Sequence, residues 1–152
     1  NRIGLWGYSA GAHLALMAGI SPDNIFHSGK YEQYTSSVKA VMAVSAPTNF
    51  PKRMDKEAGL KIFSKQQGES LTFLNAISPL SYINKNQVPV TLLHGSEDSL
   101  VKPYHYLDFK QRSDELGVNN FKLYEAEGGG HMFYFKRREF VKPLFNEFIN
   151  SL

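Results

Sequence analysis

Apolar and polar positions along this chain fall into blocks that change type, with short strand-length apolar runs separated by longer amphipathic stretches. Ile3 to Trp6 predicts a first strand. Ala10 to Ile20, rich in Ala, Leu and Met, predicts a helix that Ser21-Pro22-Asp23 ends. A polar stretch through Ser37 reads as loop. Val38 to Ser45 (VKAVMAVS) is apolar nearly throughout, as expected of a strand buried on both faces. Val88 to His94 predicts a third strand with Pro89 at its start, where no ladder N–H is needed. Tyr104 to Leu116 predicts a helix closed by Gly117, and Asn120 to Glu125 a fourth strand. Gly128-Gly129-Gly130 reads as a flexible turn. Arg138 to Ile149 predicts a last amphipathic helix, with one buried stripe of Phe140, Val141, Leu144, Phe145, Phe148 and Ile149. Strands alternating with helices imply an α/β class with a mainly parallel sheet flanked by helices.

Residues 46 to 87 are the least regular part. Ala46-Pro47-Thr48-Asn49 breaks the second strand, helical stretches are read at Asp55 to Phe63 and Ser70 to Ile77, and Ser78-Pro79-Leu80 closes them. This region is expected to form a lid or cap. Repeats, low-complexity stretches and long linkers are absent from the sequence.

Composition narrows the classes. The 152 residues are 42% hydrophobic and 20% charged, in keeping with one globular domain. The longest apolar runs fall well short of the ~18 residues of a membrane span. The net charge of +3 is spread along the chain. Its densest cluster, Lys136-Arg137-Arg138, reads as the solvated face of a helix, so no nucleic-acid partner is expected. Without cysteines, disulfides and thiolate metal sites are excluded. No metal-ligand spacing or phosphate-binding glycine motif is found, so neither metal nor cofactor is expected.

The chemistry-bearing feature is Gly7-Tyr8-Ser9-Ala10-Gly11, placed between the first strand and the first helix. A strand that turns sharply into a helix lifts one side chain clear of the backbone, and the crowding favours small residues two positions to either side. The helix start directs unpaired N–H groups and the positive dipole end toward Ser9. A serine hydroxyl needs a base, and the base an orienting acid. Side chains at the carboxyl ends of parallel strands converge, which nominates Asp98 after the third strand and His131 after the fourth, with Glu97 as a competitor for the acid. Tyr8 is expected beside the substrate pocket and Trp6 in the core. His94 reads as a packing or turn residue, His13 as helix packing, and His27 and His105 as surface residues.

With those residues in the order Ser, Asp, His, the chain resembles the α/β-hydrolase superfamily. GYSAGAHLALMAG is similar to its esterase/lipase branch. Ser78-Pro79-Leu80 through Val90–Asp98 to Val101 resembles the family's acid-bearing loop, and Gly129-Gly130-His131-Met132-Phe133 its histidine loop. The nearest members are the acetyl- or feruloyl-esterase-like and formamidase-like ones. The resemblance implies that Ser9 is the nucleophile, His131 the general base and Asp98 its orienting acid, with the Ala10 N–H as one oxyanion donor. The implied function is cleavage of a small-molecule carboxylic ester through an acyl-enzyme. A prolyl-oligopeptidase-type peptidase and a catalytically silent binding relative are the alternatives. The resemblance covers the second half of such an enzyme. It therefore implies that the HGG-type loop carrying the second oxyanion donor lies outside these residues, that the first strand presents an unpaired edge, and that the chain alone is a weak catalyst.

Overall fold

In the computed structural model the described residues are 2–22, 29–31, 33–53 and 63–152. Four strands form one sheet: β1 (Gly4–Tyr8), β2 (Ala40–Val44), β3 (Val90–Gly95) and β4 (Phe121–Ala126). All neighbours are parallel and the spatial order is the chain order, β1-β2-β3-β4. β1 and β4 are therefore the edges of this sheet. Between the strands run α1 (Ala10–Ile20), two short helices α2 (Lys65–Glu69) and α3 (Leu71–Ala76), and α4 (Tyr104–Leu116). α5 (Phe133–Lys136) and α6 (Arg138–Asn150) follow β4.

The alternation of strand side chains decides which helix covers which face. Every residue of β2 is buried. Val41 and Ala43 meet Ala12, Leu16 and Ile20 of α1 and Tyr106 and Phe109 of α4 on one face. Ala40, Met42 and Val44 meet Phe133 of α5 and Val141 and Phe148 of α6 on the other. Leu92 and Leu93 of β3 divide between the same two faces.

The first strand extends beyond Trp6 to Tyr8, because Gly7 and Tyr8 pair with Ala43 and Val44. The helix over Tyr104–Leu116 ends at Gly117 with φ 64°, the left-handed cap that glycine accepts most readily. Ser70 caps α3 by accepting from the Phe73 N–H. The Asp55 to Phe63 stretch, Phe63 excepted, lies outside the described residues, as does His27. Among the described residues no helix is long and apolar enough to cross a membrane.

Several side chains sit elsewhere than their apolar character suggests. Trp6 is 42% exposed rather than in the core: it stands on the edge strand, with Tyr134 and Phe145 against it at 5.4 and 6.1 Å between ring centres. Ile149, 45% exposed, drops out of the α6 stripe, in which Val141 and Phe148 are buried and Phe140, Leu144 and Phe145 pack half-buried against the same core. Lys136-Arg137-Arg138 lies across the junction of α5 and α6, not along one helix, and Arg137 donates to the Glu127 carbonyl at 2.6 Å.

Phe109, fully buried and 5.3 Å from Phe121, joins α4 to β4. Phe109→Ala is expected to cost about 3–5 kcal/mol in denaturant unfolding. A loss below ~1 kcal/mol would show that the α4–β4 seam is not central to the core.

Candidate active site

Ser9 is the hinge between β1 and α1, with φ 54° and ψ −120°. This is one of two positive-φ residues other than glycine among the described residues, Ser45 (φ 52°) at the end of β2 being the other. The Ser9 N–H donates to the Val44 carbonyl at 2.8 Å, while the Ala12 and His13 N–H groups close the first helical turn on the Ser9 carbonyl. A Cβ on Gly7 would stand 2.2 Å from the Gly11 carbonyl oxygen, so nothing larger than glycine fits there without a shift. Gly11 is different: beyond its own helix an added Cβ would meet nothing within 4 Å. The crowding expected on both sides of Ser9 falls on Gly7 alone. The Ala10 N–H, first of the helix, belongs to the donors that a helix leaves without an internal acceptor.

Ser9, His131 and Asp98 come together at the carboxyl ends of β1, β4 and β3. His131 Nδ1 lies 2.8 Å from Asp98 Oδ2, and His131 Nε2 lies 3.1 Å from Ser9 Oγ. With the carboxylate accepting from Nδ1–H, Nε2 is the nitrogen that accepts from the Ser9 hydroxyl. Asp98 is 1% exposed. Its Oδ1 accepts from the Leu100 and Val101 N–H groups at 3.0 and 2.8 Å, which satisfies a buried carboxylate and orients its other oxygen. Glu97, the competing acid, points to solvent, and its N–H donates to the Gly129 carbonyl at 3.0 Å.

Within the glycine run before His131, Gly129 is buried and closely packed, while Gly128 and Gly130 are exposed. A Cβ on Gly95 would lie 2.1 Å from the Gly129 oxygen, and a Cβ on Gly129 2.8 Å from the Ala126 oxygen. The Gly129 N–H donates to that Ala126 carbonyl. Backbone on backbone at this distance brings the strand ends close enough for His131 to reach both neighbours.

Three further residues shape the surroundings. His94 lies behind Asp98, buried, with Nε2 2.8 Å from the Val101 carbonyl and 3.6 Å from Asp98 Oδ2. Burial foremost holds its ring below the ordinary imidazole value, against the opposing effects of the Val101 carbonyl and the Asp98 and Glu125 charges. His13, one turn after Ser9, contacts the Ile77 carbonyl at 2.8 Å through Nε2 and meets Phe50 edge-on. Burial lowers its pKa as well. His105 is 1% exposed, not at the surface. Its Nδ1 accepts from the Thr48 and Asn49 N–H groups, both at 3.1 Å, and its carbonyl accepts from the Thr48 hydroxyl at 2.6 Å. A loop folding onto α4 buried it, and no local signal announces a contact 57 residues away.

Tyr8 lies against the histidine loop. Its hydroxyl donates to the His131 carbonyl at 2.9 Å and lies 3.2 Å from Met132 Sδ. Among the described residues no group of three or more His, Asp or Glu side chains is placed to hold a metal.

A family model described as BD-FAE matches residues 1–112. No curated protein matches the sequence. In fold the chain is similar to a truncated carbohydrate esterase from gut microbiota, at 20% identity and TM-score 0.79, over 99% of this chain and 60% of the other. It is also similar to the butyrate-bound thermophilic esterase Est2 of the Planctomycetes species Thermogutta terrifontis, at 22% identity and TM-score 0.78, over 98% and 56%. A third is the bifunctional GH43-CE protein of Bacteroides eggerthii, at 24% identity and TM-score 0.76, over 99% and 23%. The chain thus spans 60% or less of these three proteins.

Two outcomes are expected. Gly95→Ala should cost about 1–3 kcal/mol and displace the His131 resonances, because backbone must yield to the new methyl; unshifted His131 signals would refute the close-packed turn. The lowered His94 and His13 values mean that the unfolded chain binds more protons than the folded one below the ordinary value of 6.5. Stability is then fully present above that pH and lost as pH falls below it toward the depressed folded values. The urea midpoint should fall between about pH 7 and pH 5, less steeply in His94→Gln. An identical slope in that variant would remove His94 from the account.

Proposed function

Because this chain belongs to the BD-FAE family and has the α/β-hydrolase fold, we propose that it cleaves small carboxylic esters through an acyl-enzyme on Ser9. The observation that carries this reading is the pair of short contacts at His131, 2.8 Å to Asp98 and 3.1 Å to Ser9.

In the proposed reaction the Ser9 oxygen attacks the ester carbonyl carbon while His131 Nε2 takes the hydroxyl proton. Asp98 holds the ring tautomer and stabilises the imidazolium. The tetrahedral oxyanion accepts from the Ala10 N–H at the α1 start, where one such donor is worth about 3 kcal/mol in the transition state. Collapse breaks the bond to the alcohol oxygen, which receives the proton from His131. Water then adds to the acyl-enzyme by the same route, releasing the acid and restoring Ser9.

The fold relatives described as a carbohydrate esterase and as butyrate-bound favour a short acyl group on a hydroxylated alcohol. Residues 46–87 are proposed as the cap. They contact α1 through the Ile77 carbonyl at His13, and Phe50, Phe63 and Phe73 form an edge-to-face row behind that contact. The second oxyanion donor is assigned to a loop outside these 152 residues, in keeping with the share of the relatives that the chain spans.

Short-chain nitrophenyl ester hydrolysis by the chain is therefore expected to be weak but measurable, and Ser9→Ala should lower it about a thousandfold or more. A fluorophosphonate probe should add one label, located at Ser9 by mass spectrometry. Turnover unchanged in Ser9→Ala, or a label placed elsewhere, would sink the assignment.

A further inference from the structure

Ser9 and His131 are 122 positions apart, and their contact is a single hydrogen bond at 3.1 Å. That bond and the one from Nδ1 to Asp98 at 2.8 Å fix the two ring nitrogens, and neither holds the main chain that carries the ring. Tyr8 and Ser9 are adjacent, and each reaches His131 by a different atom. The Ser9 hydroxyl meets the ring at Nε2, while the Tyr8 hydroxyl donates to the main-chain carbonyl at 2.9 Å. Two attachments from consecutive residues, one to the ring and one to its backbone, constrain orientation as well as separation.

The Tyr8 ring supports the same loop. It lies 5.2 Å from the His131 ring at 45° and 5.0 Å from Phe135 edge-on, so it touches the loop on either side of Met132. Tyr8 itself is fixed at the end of β1, paired with Val44. We propose that Tyr8 is a positioning residue, whose hydroxyl and ring hold the His131 main chain so that Nε2 faces Ser9. The inference rests on the hydrolase reading above for its effect on turnover, and on geometry alone for its effect on His131.

Burial foremost, with the Asp98 charge in second place, raises the Tyr8 pKa above its ordinary value of 10.0. The phenol therefore remains a donor throughout the neutral range. Tyr8 makes this contact to the backbone of the base and not to the reacting atoms, so its removal acts on ring placement. A loosely held base lowers the fraction of encounters with correct geometry, which reduces kcat and leaves ground-state binding alone.

The test is Tyr8→Phe in this chain, which keeps the ring and deletes one oxygen. With a short-chain nitrophenyl ester, kcat and the fluorophosphonate labelling rate should both fall about tenfold at unchanged KM. Circular dichroism should report a retained fold. In proton NMR, the downfield His131 Nδ1–H signal of the bond to Asp98 should broaden or vanish in Tyr8→Phe. Unchanged kcat and an unchanged His131 signal would overturn the proposal. A rise in KM at constant kcat would also overturn it, making Tyr8 a substrate contact instead. Activity that survives Ser9→Ala, or that neither protein shows, counts against the hydrolase reading only. The His131 signal then decides alone, its loss supporting Tyr8 as the positioning group and its persistence refuting it.

Discussion

Holding Ser9 at φ 54° and ψ −120° costs on the order of 1–3 kcal/mol of backbone strain, and the surrounding packing makes that conformation tenable. The Ser9 N–H is tied to Val44, the last residue of the fully buried β2 strand. Gly7 lets the first turn of α1 fold back to a distance that no side chain would permit. α1 in turn is pinned by Ala12, Leu16 and Ile20 against Val41 and Ala43. The strain is therefore offset by burial on one face of the sheet, and releasing it would require undocking the helix.

The opposite side of the site depends on the same device of close backbone approach. Gly95 against Gly129 brings the ends of β3 and β4 together, and Asp98 and His131 follow from those two ends. Asp98 is satisfied by two backbone N–H groups and by His131, so a charge taken out of water retains hydrogen bonds on both oxygens. His94 then supports the Val101 carbonyl from behind. His105 does comparable work for the loop after β2, where its ring replaces water for the Thr48 and Asn49 N–H groups. Each of these buried histidines has a ring nitrogen in hydrogen-bond contact with main-chain atoms, His94 with the Val101 carbonyl and His105 with the Thr48 and Asn49 N–H groups.

Much of this was legible in the chain. The four strands and the helices at Ala10–Ile20 and Tyr104–Leu116 follow from short apolar runs, helix-forming composition and the Gly117 stop, all properties of neighbouring residues. The ends were displaced by a residue or two wherever pairing carried a strand further, as at Gly7 and Tyr8. Side-chain environments were less legible. Trp6 and Ile149 are apolar and were expected inside, yet an edge strand and a helix flank leave them half exposed. His105 was expected outside, yet a loop from 57 residues away covers it.

By itself, then, the sequence determined the alternation of strand and helix, the serine set between them, and an acid and a histidine each following a later strand. These depend on spacing along the chain, where side-chain periodicity and glycine placement act directly. Only the tertiary structure decided that Asp98 rather than Glu97 faces His131, that Gly129 packs against Gly95, and that the Tyr8 hydroxyl meets the His131 carbonyl. Those outcomes depend on which atoms meet across more than 30 residues of intervening chain. Such meetings are fixed by strand register and helix docking, which no local pattern encodes.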